Sequence, residues 1–171
     1  NDYGQSVDID GSNCIISGKD YVFIYDITNE NEADASINIP DANLVKIKDD
    51  NAICFDGTNI HYITKNNGAW SVHSSNDYSS FMYVPSVRDD IMAFDGDNII
   101  VSNQDSIFVR DLSYNSTIQQ IDVSSTSFYL VPDKLAVCDY INNVTTTYGV
   151  VDTSYVFDAS IQGISGETGK R

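Results

Sequence analysis

Two histidines, His61 and His73, are the only imidazole side chains in the sequence, so histidine-based catalysis or a histidine metal site must use one or both of them. They flank Asn67-Gly68, a pair suited to a type I′ hairpin turn because both central positions of that turn need positive φ. A hairpin with this turn places His73 beside Tyr62 on one face and His61 on the other face. The two histidines therefore cannot bind one metal ion. A Ser-His-Asp triad stays open, although the sequence contains no Gly-x-Ser-x-Gly element around a nucleophilic serine.

Asp8 and Asp10, in the segment DIDGSN, resemble the start of a calcium-binding loop. The spacing argues against calcium, because an EF-hand loop has glycine sixth and a bidentate acid twelfth, whereas here Gly11 is fourth and Lys19 is twelfth. The Asp-Gly pair also recurs at Asp95-Gly96, which a repeated hairpin turn explains. We therefore predict no metal and no other cofactor, with calcium at Asp8 and Asp10 as the alternative.

The composition limits the class of protein. The chain has 171 residues, and its 25 acidic against 9 basic residues give a net charge of −16, which repels nucleic acid and anionic membrane surfaces. Hydrophobic residues make up 42% of the chain, which argues against intrinsic disorder. No apolar segment approaches the roughly 20 residues of a membrane-spanning helix. We expect a single domain without a membrane span, and take the chain, which begins with Asn1, as a mature product or part of a longer protein.

Three cysteines, Cys14, Cys54 and Cys138, lie far apart in apolar, strand-like segments. None belongs to a Cys-x-x-Cys pair, and the set is neither even in number nor clustered. We predict buried, reduced thiols rather than a zinc site or a disulfide framework.

The sequence repeats with a period of about 40 residues. Residues 92–112 align without a gap on residues 7–27, and eight aligned pairs are identical: Asp10/Asp95, Gly11/Gly96, Asn13/Asn98, Ile15/Ile100, Ser17/Ser102, Asp20/Asp105, Phe23/Phe108 and Asp26/Asp111. A third copy lies between these two with a shift of 38 residues, and a fourth, weaker copy begins near Phe128. Each copy contains four short apolar segments separated by turn residues, which predicts four strands and almost no helix. This period and strand number are typical of one β-propeller blade.

We therefore predict an all-β propeller, formed by four repeats that are each a four-stranded antiparallel blade. The expected blades are residues 2–40, 43–76, 81–124 and 126–162, in a single domain 1–162, followed by a flexible tail, 163–171. Four blades either close a small ring or form part of a larger propeller.

The segment from residue 2 to 28 resembles an FG-GAP-type β-propeller repeat. Tyr3-Gly4, Ser6-Val7, Ser17-Gly18-Lys19 and Tyr21-Val22-Phe23 occupy the places of that pattern, with tyrosine in place of the first phenylalanine and a single glycine in place of Gly-Ala-Pro. The segment HYITKNNGAW, residues 61–70, resembles the tyrosine-strand, glycine-turn, tryptophan ending of bacterial members. The resemblance implies a propeller, and integrin-like members of the family bind calcium in Asp-rich loops.

We predict that one end of the propeller binds the ligand. In propellers, the loops that join second to third strands, and one blade to the next, emerge together around the central opening. The candidate binding residues on these loops are Lys19, Asp20, Asp56, Thr58, Tyr78, Gln104, Asp105, Tyr140 and Asn142. Tyr78 and Tyr140 are the expected aromatic anchors of a hydrogen-bonded interface of moderate affinity, unless they fold back onto strand ends.

Two classes of function fit the sequence. The first is a non-catalytic binding or structural module, with a protein partner or an oligomer, such as an extracellular or virion-surface adhesion or assembly protein. It rests on the absence of a catalytic motif and on a repeat scaffold whose loops are free to vary. The alternative is a glycan-active lectin or glycoside hydrolase that uses acids and aromatics of the same rim: Asp56, Asp105, Tyr78 and Tyr140. The abundant turn carboxylates are otherwise solvated, and we expect this chain not to be an enzyme.

Overall fold

The computed structural model describes residues 3–29, 33–80, 92–103, 106–113, 115–122, 127–131, 134–139, 144–151 and 154–162. These residues form strands and turns, and none of them is helical. The strands are β1 Tyr3–Asp10, β2 Asn13–Gly18, β3 Tyr21–Asp26, β4 Ala35–Asn38, β5 Leu44–Lys48, β6 Asn51–Phe55, β7 Asn59–Asn66, β8 Ala69–Asp77, β9 Met92–Phe94, β10 Asn98–Ser102, β11 Ser106–Asp111, β12 Ser116–Asp122, β13 Ser127–Val131, β14 Lys134–Asp139, β15 Val144–Val151 and β16 Ser154–Gln162.

The strands form four antiparallel sheets, each a meander of four consecutive strands. Sheet 1 contains β1–β4, sheet 2 β5–β8, sheet 3 β9–β12 and sheet 4 β13–β16. The first strands of successive sheets contact each other, β1 with β5, β5 with β9 and β9 with β13. The predicted all-β fold of four four-stranded antiparallel sheets is confirmed.

Turn chemistry accounts for the hairpin between β7 and β8. Asn67 and Gly68, between β7 and β8, have φ of 52° and 81°, as a type I′ turn requires. Lys65 lies opposite Trp70 below this turn. A bulge between Tyr62 and Ile63 then shifts the register, so that Tyr62 lies opposite Ser74 instead of His73.

A separate hydrophobic core fills each space between neighbouring sheets. We call the side of a sheet that points to the next sheet its forward face, and the opposite side its rear face. Ile15, Val22 and Ile24, on the forward face of sheet 1, pack with Val45, Ile47 and Cys54 on the rear face of sheet 2. Sheets 2 and 3 enclose a second core around Phe55 and Phe108, and sheets 3 and 4 enclose a third around Val109 and Leu135. Because side chains alternate between the faces of a strand, each inner sheet contributes to two cores.

Cys54 lies in the core between sheets 1 and 2, and Cys14 lies on the rear face of sheet 1. Cys14 and Cys54 are buried and form no disulfide bond. Burial raises the pKa of both thiols above its ordinary value, and the nearby carboxylates of Asp8 and Asp56 act in the same direction. The described residues contain no helix that is long and apolar enough to cross a membrane.

Candidate functional site

The candidate site is one end of the sheets, which we call the 2–3 rim. It consists of the loops between second and third strands and the connections between sheets. Its described members are Lys19-Asp20, residues 39–43, residues 56–58, Asp77 at the end of β8 with residues 78–80 that follow it, and Asn103. Gln104, Asp105, Tyr140 and Asn142, which we also predicted on this rim, lie outside the described residues, as does the predicted tail 163–171.

Backbone hydrogen bonds join the rim loop of sheet 1 to the connection that follows it. The Asp41 amide donates to the Lys19 carbonyl at 2.7 Å, and the Asn38 side-chain amide donates to the Asp20 carbonyl at 3.2 Å. Asp41 has φ of 57°, a left-handed conformation that aspartate adopts more readily than most residues. The side chains of Lys19, Asp20 and Asp41 are exposed. The backbone is therefore fixed while these charged groups face solvent.

The same connection continues onto the rim loop of sheet 2. The Asn43 amide donates to the Phe55 carbonyl at 2.8 Å, and the Tyr78 amide donates to the Thr58 carbonyl at 2.9 Å. Gly57 has φ of 100°, which favours glycine, and a Cβ atom there would lie 3.5 Å from the side-chain Nδ2 of Asn43. The predicted loops of sheets 1 and 2 thus form one continuous surface.

Tyr78 is not an exposed anchor, which corrects the prediction for this residue. Its side chain is 0% exposed in the core between sheets 2 and 3, and the guanidinium of Arg110 lies 5.0 Å from its ring centroid. Burial raises the pKa of Tyr78, and Arg110 opposes that rise. A cation over an aromatic ring inside a core stabilises packing. Tyr78 is a core residue that ties the rim to sheet 3.

Asp56 forms a hydrogen-bonded line with His61 and Ser75, which were not among the predicted binding residues. The Nε2 atom of His61 lies 2.8 Å from Oδ2 of Asp56, and its Nδ1 atom lies 2.8 Å from Oγ of Ser75. The side chains of His61 and Asp56 are 16% and 18% exposed. The arrangement resembles a Ser-His-Asp triad in composition, but His61 and Ser75 are directly opposite partners on β7 and β8. It links the outer strands of sheet 2 to its rim loop.

Asp56 is held as a carboxylate. Burial would raise its pKa, but hydrogen bonds from the Asn59 amide, from His61, from the Asn59 side chain and from the Thr58 amide lower the pKa to about 2. A general acid in glycoside hydrolysis needs a raised pKa so that it holds a proton near neutral pH. Asp56 therefore does not have the properties of that acid.

Asp8 and Asp10 serve the junction between sheets 1 and 2. Oδ2 of Asp8 accepts the Ile47 amide at 2.8 Å, and Oδ2 of Asp10 accepts the Asp49 amide at 2.7 Å. Oδ1 of Asp10 also forms an ion pair with Nζ of Lys48 at 2.9 Å, and these hydrogen bonds lower the pKa of Asp10. Within the described part of the chain, no group of three or more metal-binding side chains lies together. The two carboxylates are engaged with the edge of β5.

The sequence contains part of the information needed to place His61 and Ser75 beside Asp56. Cys54 lies opposite His61, and Asp56 lies two residues further along the chain, so the two-residue period places Asp56 and His61 on one face. Ser75 lies opposite His61 because of the bulge in the pairing of β7 and β8, which the sequence does not predict. His73 lies beside Tyr62, as predicted, and the centroids of the two rings are 5.7 Å apart.

Four consecutive meandering sheets with cores between them define a β-propeller, and solved structures share this arrangement. Similar structures include Hsv2 of Kluyveromyces lactis, at a TM-score of 0.66 and 14% identity over 96% of this chain and 51% of that one. The N-terminal domain of Nup159 gives a TM-score of 0.65 at 12% identity over 95% of this chain and 45% of that one. The β-propeller domain of Myceliophteria thermophila Cps50 (Swd1) gives 0.61 at 10% identity over 92% and 59%.

The comparisons show the fold. These neighbours are WD40-type propellers, which supports the predicted β-propeller but not the FG-GAP type of repeat. This chain spans about half the length of the structures it resembles. No protein-family model and no curated protein matches the sequence.

Proposed function

We propose that the chain is a non-catalytic protein-binding module whose 2–3 rim binds a basic segment of a partner protein. The observation that carries the proposal is the charge of the rim. Asp20, Asp41 and Asp77 are exposed there, against the single exposed base Lys19 among the described rim residues. Such a surface attracts lysine and arginine side chains and repels acidic ones.

Preorganisation of the rim supports this function. Its loops are tied to each other through backbone hydrogen bonds, so little conformational entropy is lost when a partner binds. The Asp77 carboxylate accepts hydrogen bonds from Ser79, which lower its pKa and keep it charged. Propeller neighbours offer a precedent, because Nup159 is bound to Dbp5 in a solved Saccharomyces cerevisiae complex.

The glycan-active alternative has less support. Of its four rim residues, Asp56 is a carboxylate with a depressed pKa and Tyr78 is buried, while Asp105 and Tyr140 lie outside the described residues. Our finer hypothesis, adhesion or assembly at an extracellular or virion surface, rests on the acidic repeat scaffold. Protease accessibility of the protein on intact cells or particles would test it.

The binding test uses fluorescence anisotropy with two labelled ten-residue peptides, one of lysine and arginine and one of glutamate. We expect the basic peptide alone to bind. Changing Asp20, Asp41 and Asp77 to asparagine should weaken its binding by about 10-fold, since each rim charge contributes on the order of 0.5 kcal/mol.

The matched control changes Asp49, Asp50 and Asp97, which lie in turns at the opposite end of the sheets. Both triple variants move the net charge from −16 to −13, because each removes three negative charges. We expect less than about a 2-fold change in the control. Equal weakening in both variants would show unspecific attraction to the acidic protein and would overturn the proposal.

A further inference from the structure

Sheet 1 carries an apolar face that is open to solvent. Its rear face, which we call the open face, presents Val7, Ile9, Cys14, Ile16, Tyr21, Phe23 and Tyr25. Val7 is 57% exposed and Ile9 is 58% exposed. The three aromatic rings follow each other along β3, with centroids 6.2 and 6.4 Å apart. A contiguous patch of this kind marks an interaction site.

The same positions are buried in the next two sheets. The residues that correspond to Val7 in sheets 2 and 3 are Val45 and Met92, which are 0% and 2% exposed. Those that correspond to Ile9 are Ile47 and Phe94, at 4% and 9%. In both sheets the forward face of the preceding sheet covers these positions. The repeat therefore shows which kind of surface fits the open face.

The backbone amides at the inner edge of β1 also indicate that another blade packs on this face. The amides of Val45 and Ile47 in β5 point away from β6 and donate to Ser6 and Asp8 of sheet 1, and the amide of Asp49, directly after β5, donates to Asp10. The amides of Val7 and Ile9 have the equivalent positions in β1, because Asp10 pairs with Asn13 across the two-residue turn and hydrogen-bonded pairs alternate along the ladder. A preceding blade with hydroxyl or carboxylate side chains on its inner strand would satisfy them.

The remaining forward face of this chain, on sheet 4, is less apolar than the forward face of sheet 1 at two positions. On sheet 4 the forward face carries Thr145 and Thr147, and Lys134 forms an ion pair with Asp158 at 2.6 Å. Val22 and Ile24 occupy the places of these threonines in sheet 1. A second copy arranged head to tail would place Thr145 and Thr147 where Val22 and Ile24 pack in sheet 1, and two chains of charge −16 repel each other.

We propose that the open face binds the apolar forward face of an additional propeller blade, supplied neither by sheets 1–4 nor by a second copy of them. Its inner strand carries serine or aspartate at alternate positions, as β1 does. The ring that results has more than four blades. The length of the neighbouring propellers, of which this chain spans about half, agrees with a ring of that size.

The test supplies such a blade within one chain. A copy of residues 1–43 is fused before Ser6, because Ser6 occupies the strand position of Leu44, so the copied blade connects to sheet 1 as sheet 1 connects to sheet 2. We expect the melting temperature to rise by roughly 5 °C or more. Hydrogen exchange of the Val7 and Ile9 amides of the original blade should slow by about 100-fold or more.

The control is the pair Val7→Ser and Ile9→Ser in the original blade. In the 171-residue chain these exposed positions should tolerate the change with a shift below about 2 °C. In the fusion the same two substitutions should abolish the rise in melting temperature. A second fusion carries residues 40–80, the second blade, through a Gly-Ser linker, in case the first copy does not fold.

Three outcomes would overturn the proposal. The first is that neither fusion protects the Val7 and Ile9 amides. The second is that the fusion keeps its higher melting temperature when it carries Val7→Ser and Ile9→Ser. The third is that the 171-residue chain forms a dimer in light scattering that Val7→Asp with Ile9→Asp dissociates, since the open face would then belong to a second copy.

Discussion

Removing the Asp8 side chain tests whether this carboxylate joins two sheets or binds calcium. In the structure it accepts the amide of Ile47, a residue that is 4% exposed. Asp8→Ala leaves that donor without its partner, and an unsatisfied buried donor costs about 1 to 3 kcal/mol. For a chain of this length we expect the melting temperature to fall by roughly 2 to 12 °C.

The assay is thermal unfolding followed by circular dichroism, with and without millimolar calcium. Asp20→Ala is the matched control, because it also removes one negative charge but from an exposed position on the rim. It should shift the midpoint by less than about 2 °C. Calcium should leave both variants and the parent protein unchanged. The reasoning is refuted if Asp8→Ala melts like the control, or if calcium stabilises the parent protein and not Asp8→Ala.

Three further predictions concern the core and the rim. Tyr78→Ala should lower the free energy of unfolding in urea by about 3 to 5 kcal/mol because it empties a buried ring site beneath Arg110, whereas Tyr78→Phe should cost about 1 kcal/mol. The pKa of Asp56 falls from 3.8 to about 2 on folding, so its carboxylate should add about 2 kcal/mol to the free energy of unfolding above pH 4. This contribution is lost as the pH falls towards 2. The difference in stability between the parent protein and Asp56→Asn should therefore narrow from pH 5 to pH 2.5. In a Cys138→Ser background, Cys14 and Cys54 should react with a thiol reagent at least about 100-fold more slowly in the native state than in urea, because both are buried and the pKa of each is raised.

The repeat made the fold predictable from the sequence. Aligned residues 85 positions apart take the same strand positions, so that Ile16 and Phe23 pair in sheet 1 as Val101 and Phe108 pair in sheet 3. The turn at Asn67-Gly68 was predictable because few residues adopt positive φ at both positions. The bulge in the β7 and β8 pair was not, since one extra residue changes no local pattern.

The site was harder to predict than the fold. Tyr78 stands in the polar segment SSNDYSS, which suggests a solvated loop, yet its ring enters the core because Arg110 and sheet 3 lie beside it. That contact joins different repeats, so neither periodicity nor local composition reveals it. Asp56 was located on the correct loop, but the role of its carboxylate depends on His61 across the β6 and β7 pair.

The tetrapeptide Asp-Gly-x-Asn shows how a local motif separates from function. It occurs at residues 10–13, 56–59 and 95–98, joining first to second strands in sheets 1 and 3 but second to third strands in sheet 2. At 56–59 and 95–98 the aspartate accepts the same backbone and asparagine hydrogen bonds, although the two turns lie at opposite ends of the sheets.

The motif therefore specifies a turn, whereas the residues around each copy determine which groups its aspartate contacts. Asp10 directs its carboxylate to the next sheet, where it holds β5. Asp56 holds His61, while the residue at the corresponding place after Asp95 is Ile100, which is buried between sheets 3 and 4. Positions where one repeat departs from the others, such as His61 in β7 and the exposed Val7 and Ile9 of sheet 1, are therefore where we expect residues with a role beyond the scaffold.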